Sequence, residues 1–497
     1  MTTIEMLPQE VIDAIAGFLP KGHNRAHCAT LSISWQRAIE RLTFSSLSIK
    51  PGDYLGQVHK FEQYVTPRRF GYIRELHIRF YIVDLRLSVP RNSGFNEQLT
   101  QVVLIERLRK LFEVMAARNS FLKDEVGTGY VRSGVSLYLE PMFGYHIEEI
   151  DSEHIPECSD TADYKSLPEL DFVIRLQLRD KSTILPLGSG FLLSSRFPKL
   201  HGIELETSQR PGIWYSNWLH IDDRRHLERA ITNTEVTDKF RGGQFTLNIM
   251  ARDDHETSTP SLEVVFDDTH FGITRPSYDP MSMSIRNFSQ NLTSLNLSAS
   301  LDASIFWPQP HEPDDNKSSI PHWPHLRHLT VRMAVARSDG TYYFQRPDPP
   351  SMGGPDVVPR EESMQELFSS WAKALSRMPR LESATLWFRI RRMVYLDPPH
   401  LTPQVIPYDP IKWIVGFHAP GVVPDPKVHS CLLTDEWLKR PRLTFEETEG
   451  WIPEMSTMEA LYRMAESRFP GKELVHIQAD NPFRSHEMRM EWGTFVR

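Results

Sequence analysis

Cysteine is nearly absent from this chain of 497 residues: Cys28, Cys158 and Cys431 are its only three, with no C-x-x-C pair. That excludes a disulfide framework and a zinc finger and fits a reducing compartment. An excess of positive charge is also lacking. The formal net charge is −8 at pH 7, whereas a protein that neutralises phosphates carries clustered Lys and Arg, so nucleic acid is not an expected partner. No apolar run reaches membrane-spanning length, and membrane is not expected as a partner either. At the N-terminus Gln9, Glu10 and Asp13 interrupt the hydrophobic residues, which disfavours a secretory signal and points to an intracellular protein, cytoplasmic or nuclear. The sequons at Asn287, Asn291, Asn296 and Asn316 therefore read as polar surface sequence.

Motifs of catalysis are missing too. There is no nucleotide-binding turn, nucleophile elbow or H-E-x-x-H, and Gly188-Ser189-Gly190 lacks the third glycine of a phosphate cradle and reads as a turn. The acidic pairs Asp253-Asp254, Asp267-Asp268 and Asp314-Asp315 are adjacent rather than spaced to converge, as solvated turns require. His322, His325 and His328 recur at three-residue intervals around Leu326 and Leu329. In a strand their odd separation sends His325 and His328 to opposite faces, so no metal site is expected. No catalytic residue and no cofactor is expected.

What is present is ordinary globular composition, 40% hydrophobic and 24% charged. The length accommodates a short module plus a large one, or a stacked repeat array. Leu7 to Pro20 opens with a proline suited to a first helical position and sets Val11, Ile12, Ile15, Phe18 and Leu19 at helical spacing. Pro20 and Gly22 stop it. Leu31 to Leu42 offers Ser32 as N-cap and aligns Trp35, Ile39 and Leu42 at i, i+4 and i+7. Asn24 to Thr30 is compatible with one or two helical turns between them.

The Leu-Pro-x-Glu-Val-Ile start, the Phe-Leu-Pro end of the first helix and Leu31-Ser32 followed by Trp35 resemble an F-box. The resemblance covers about a tenth of the chain, and it departs from the usual leucine-rich middle at Lys21 to His27. It implies that Leu7, Pro8, Glu10, Val11, Ile12, Ile15 and Leu31 meet a Skp-type adaptor, which links to a cullin, and that Trp35 is a core residue. The competing reading makes these helices a cap on the larger domain, with their apolar residues buried internally.

Further along, an apolar residue is repeatedly followed by a second three positions on and a third two beyond that. The five instances begin at Ile73, Leu200, Leu292, Leu326 and Leu381, and Pro198, Pro324 and Pro379 introduce three of them. This is the core of a leucine-rich repeat, in which a turn feeds a short parallel strand and each unit is stable only when stacked. Regular repeats recur every 20 to 29 residues or so, so long insertions or degenerate units are expected between these. Gly134 to Leu139, Val173 to Leu178, Phe245 to Ile249 and Leu262 to Phe266 also read as strands. Helical spacing marks Glu97 to Arg118, Asp222 to Thr234, Glu361 to Met378 and Ser456 to Arg468.

Pro308 to Pro324, Ser338 to Pro359 and Asp397 to Lys427 read as long loops, the last retaining Trp413, Ile414, Val415 and Phe417. Those side chains either plug a core or line a recognition groove. The expected fold class is α/β: a three-helix F-box-like module over 1–50, then an irregular, leucine-rich-repeat-like open array with long insertions over 51–497. An ordinary α/β domain is the alternative. The expected function is recruitment of a target protein to a Skp-cullin ubiquitin ligase, with no catalysis by this chain. A scaffold outside any ligase and an α/β enzyme with an unrecognised site are the alternatives.

Overall fold

In the computed structural model the described residues are 7–20, 23–50, 54–83, 95–126, 134–144, 164–180, 188–209, 226–232, 246–253, 278–310, 312, 320–335, 337, 341–345, 357–390, 411–426, 429, 434–448 and 450–479. The chain divides into two compact units, 1–207 and 208–497; the boundary expected near residue 50 falls inside the first.

In the first unit, α1 (Gln9–Phe18), α2 (His23–Ala29) and α3 (Ile33–Phe44) form a bundle around Ile12, Ala16, Trp35, Ala38 and Ile39. Trp35 is buried, and Ser32 caps α3 by accepting a hydrogen bond from Trp35 N at 3.3 Å. The chain continues through β1 (Ser46–Ile49), α4 (Tyr54–Tyr64), α5 (Pro67–Phe70), β2 (Glu75–Val83), α6 (Phe95–Val126), β3 (Val135–Gly144), β4 (Val173–Asp180), α7 (Ser189–Ser194) and β5 (Gly202–Gln209). The five strands lie side by side in chain order and every pairing is parallel. Alternation puts one side chain in two on the buried face, and the register stacks them: Leu76, Leu137, Leu176 and Ile203 form one row, Ile78, Leu139, Leu178 and Leu205 the next. Both rows are buried, and α6 adds Leu108, Leu111, Phe112 and Met115 to the core.

The turn expected at Gly188-Ser189-Gly190 is instead the start of α7, which buries Phe191 and Leu193. A Cβ on Gly190 would stand 2.3 Å from Leu205 Cδ2. The glycine lets this helix lie against β5, a packing use rather than a turn use.

The second unit contains a helical segment at 226–232, then β6 (Thr246–Asp253), α8 (Pro280–Ser289), β7 (Ser294–Ala299), β8 (His328–Met333), the short pair β9 (Phe344–Gln345) and β10 (Val358–Pro359), α9 (Glu361–Leu375) and β11 (Ser383–Ile390). After these come β12 (Ile411–His418), α10 (Asp435–Leu438), β13 (Arg442–Glu446), α11 (Met455–Arg468) and β14 (Val475–Ala479). Strands β6, β7, β8 and β11 are parallel neighbours, with Leu247, Leu295, Leu329 and Ala384 in register. All five templates thus open strands. The strand expected at Leu262 to Phe266 lies outside the described residues.

Two expected loops contain strands: β9 and β10 pair within the stretch read as Ser338 to Pro359, and the second case is longer. Residues 411–418, within the stretch read as Asp397 to Lys427, form β12, antiparallel to both β11 and β13. Trp413, Ile414, Val415 and Phe417 are all buried, so they plug a core and do not line a recognition groove. Trp413 meets Phe344, Phe368, Phe388 and Trp451 with ring centroids 5.2 to 6.0 Å apart, a geometry that adds specific aromatic attraction to area burial. The prolines that punctuate this segment flank the strand and do not interrupt it.

Candidate partner-binding surface

The two faces of α1 have different fates. Ile12 and Ala16 point into the bundle, whereas Leu7, Val11, Ile15 and Phe18, spaced by four, four and three residues, are exposed on the other side. Phe18 is 92% exposed. Leu31 and Ile33, at 60% and 65%, extend the set at the entry to α3. Gln9 Nε2 donates to Ser34 O at 3.1 Å, which puts Leu31 and Ile33 at the same end of the bundle as Leu7 and Val11. Six of the sixteen exposed large hydrophobic side chains among the described residues fall between 7 and 33. Such a concentration makes this face the candidate partner-binding surface among the described residues.

Of the residues expected to meet a partner, Leu7, Pro8, Glu10, Val11, Ile15 and Leu31 are exposed. Ile12 is a correction. It is fully buried against the other two helices, because on a helix the neighbouring position turns about 100° away and faces the bundle. Phe18 and Ile33 were not singled out as contacts. The signal that finds Phe18 is the i, i+4, i+8, i+11 row from Leu7, once Ile12 is known to face inward; that row does not reach Ile33.

Polar contacts hold the bundle from its rim. Arg41 pairs with Asp13, and Gln9 Nε2 donates to Asp13 Oδ1 at 2.8 Å. Arg25 Nη2 donates to Leu19 O at 2.8 Å and closes the C-terminal end of α1. Glu40, buried on α3, accepts from Arg69 at 2.9 and 3.1 Å and from Arg68, both on α5. Burial by itself raises the Glu40 carboxyl, but the hydrogen bonds and charges of Arg68 and Arg69 outweigh it and hold it below its ordinary value.

A second constellation lies in the second unit. His429 Nδ1 stands 2.6 Å from Glu446 Oε1 and its Nε2 3.1 Å from Thr385 Oγ1, an order of hydroxyl, imidazole and carboxylate that could relay a proton. All three residues are buried, and His418, packed edge-on against His429 at 4.8 Å, is buried with both ring nitrogens unpartnered. The three side chains form a buried polar network that bridges β11, β13 and the segment after β12. Burial, with His429 and Arg442 nearby, pushes the His418 imidazole well below its ordinary range.

His322 and His325 are exposed in the turn before β8 and His328 begins the strand, where its Nδ1 lies 3.2 Å from Ser383 Oγ. Among the described residues no group of three or more His, Cys, Asp or Glu is placed to hold a metal, and no helix is long and apolar enough to cross a membrane.

The fold and this surface define a mixed α/β protein carrying a small N-terminal helical bundle with an open apolar face. Residues 251–395, which run from the end of β6 through β11 and beyond, match a family of unknown function (DUF6546). No curated protein matches the chain.

Proposed function

We propose that the chain is the substrate-recruiting subunit of a Skp-cullin ubiquitin ligase. The observation that carries this reading is the exposed row of Leu7, Val11, Ile15 and Phe18 on a bundle whose core is already filled by Ile12, Ala16 and Trp35. A helical cap would have spent that row on its own domain. The same residues carry the F-box resemblance, which implies a Skp-type adaptor there and a cullin beyond it. The parallel strands opening at each Leu-x-x-Leu-x-Leu segment support reading the remainder as a leucine-rich-repeat-like array that holds a target protein. The chain's contribution to the reaction is positional: it raises the effective concentration of a target lysine at the ubiquitin-carrying enzyme.

Co-purification of the full chain with a Skp-type adaptor tests this, alongside a Val11→Ser, Ile15→Ser, Phe18→Ser variant. Recovery of the adaptor with the parent chain and its loss from the folded variant is the expected outcome. No recovery with either overturns the reading. Adaptor binding without cullin-dependent target turnover leaves a scaffold outside the ligase.

A further inference from the structure

Two proline-led turns of the second unit lie side by side. Trp323 N donates to Arg377 O at 3.0 Å, and Glu382 N and Ser383 N donate to Arg327 O at 2.7 and 3.0 Å, so residues 322–328 and 376–382 form one edge. That edge exposes Arg327, Arg377, Arg380, His322, His325 and His328, and Lys373 stands exposed in the last turn of α9 just before it. Glu382 is the single carboxylate in the two turns, and it is engaged by Arg327 at 3.0 Å and His328 at 3.6 Å. Lys373, Arg377 and Arg380 have no carboxylate partner among the described residues. Some exposed arginines elsewhere among the described residues are matched, as Arg79 is by Glu140 and Arg463 by Glu459, and those without a carboxylate, such as Arg37, do not cluster as these do.

Four permanent cations against one carboxylate, on a chain of net charge −8, form a local reversal of sign that costs self-repulsion. The negative end of α9 accounts for Lys373 and Arg377. It does not account for Arg327, Arg380 or the three histidines.

We propose that this edge docks an acidic segment of another polypeptide. Planar guanidiniums with free donors match carboxylates in pairs. Ile320, 61% exposed and two residues ahead of His322, offers an apolar contact to a segment that carries hydrophobic side chains as well as charge. Nucleic acid fits less well. The overall negative charge of the chain repels a polyanion. The site is separate from the helical bundle, and the inference stands or falls independently of the adaptor reading.

Fluorescence anisotropy of a labelled peptide of alternating Glu and Asp with one central Leu, titrated with the full chain at low salt, measures the interaction. Saturable binding that weakens as salt is raised is expected. Arg377→Glu with Arg380→Glu is expected to raise the dissociation constant about tenfold or more, while Lys60→Glu with Lys110→Glu, the same charge change on exposed helices of the first unit, moves it by less than about twofold. Arg377→Gln with Arg380→Gln, with circular dichroism on every variant, keeps the comparison valid if the reversals disturb folding. No binding by the parent chain, equal losses in the two double variants, or tighter binding of single-stranded DNA of the same charge would overturn the proposal.

Discussion

Arg286 and Glu312 illustrate how much one pair of residues carries. Arg286 Nη1 and Nη2 donate to the two Glu312 oxygens at 2.9 and 2.7 Å, Nη1 also reaches Ser304 O at 2.7 Å, and both side chains are buried. The pair ties α8 to the segment after β7. Removing the carboxylate strands a buried guanidinium, so Glu312→Ala is expected to cost about 3–5 kcal/mol in a urea denaturation series, with much of the loss recovered by Arg286→Met combined with Glu312→Leu. Neither residue stood out in the sequence. Arg286 sits in a serine-rich stretch of weak helix propensity and Glu312 between prolines; only their meeting makes them important, and a separation of 26 residues hides it.

Among the elements, α1 gives the sharpest test of face against face. Ile12→Ala empties a filled position in the bundle and is expected to cost about 2–5 kcal/mol. Phe18→Ser removes a ring from water and is expected to leave the denaturation midpoint nearly unchanged while it weakens adaptor recovery. Equal destabilisation by the two would mean that Phe18 is covered in the folded protein. The existence of this helix and of α3 was legible, because Pro8, Pro20 and Ser32 punctuate apolar residues at helical spacing. Its orientation was not, since Val11 and Ile12 are equally hydrophobic neighbours and only α2 and α3 decide which one is inside. α8 escaped the reading because alternating Met and Ser obscure a helical stripe that Asp279 caps by accepting from Met281 N and Ser282 N. β12 escaped it because its prolines lie in the flanks.

At the scale of the whole molecule the pH response separates the two units. In the second, burial lowers the imidazoles of His418 and His476, and that of His226 to about 4, where the neighbouring Arg229 adds to the effect. The unfolded chain takes up these protons near the ordinary value of 6.5 while the folded chain resists them, so stability is full above about 6.5 and drains as pH falls toward about 4. Glu40, in the first unit, is held down instead; its contribution survives to about 4.5 and is lost as pH falls further through its folded value. Tryptophan fluorescence reports mainly the second unit, which holds ten of the eleven tryptophans. Its urea midpoint is expected to fall between pH 7 and pH 5, and to fall less steeply in His418→Gln. Alternation of apolar residues, capping side chains and proline-led turns act within a few residues along the chain, so the sequence by itself determined where most strands and helices begin and that the strands would be largely parallel. The open face of α1, the reversal of β12, the division near residue 207 and the sealing of His429 against Glu446 were decided only in the tertiary structure, because each depends on which distant segment supplies the neighbour.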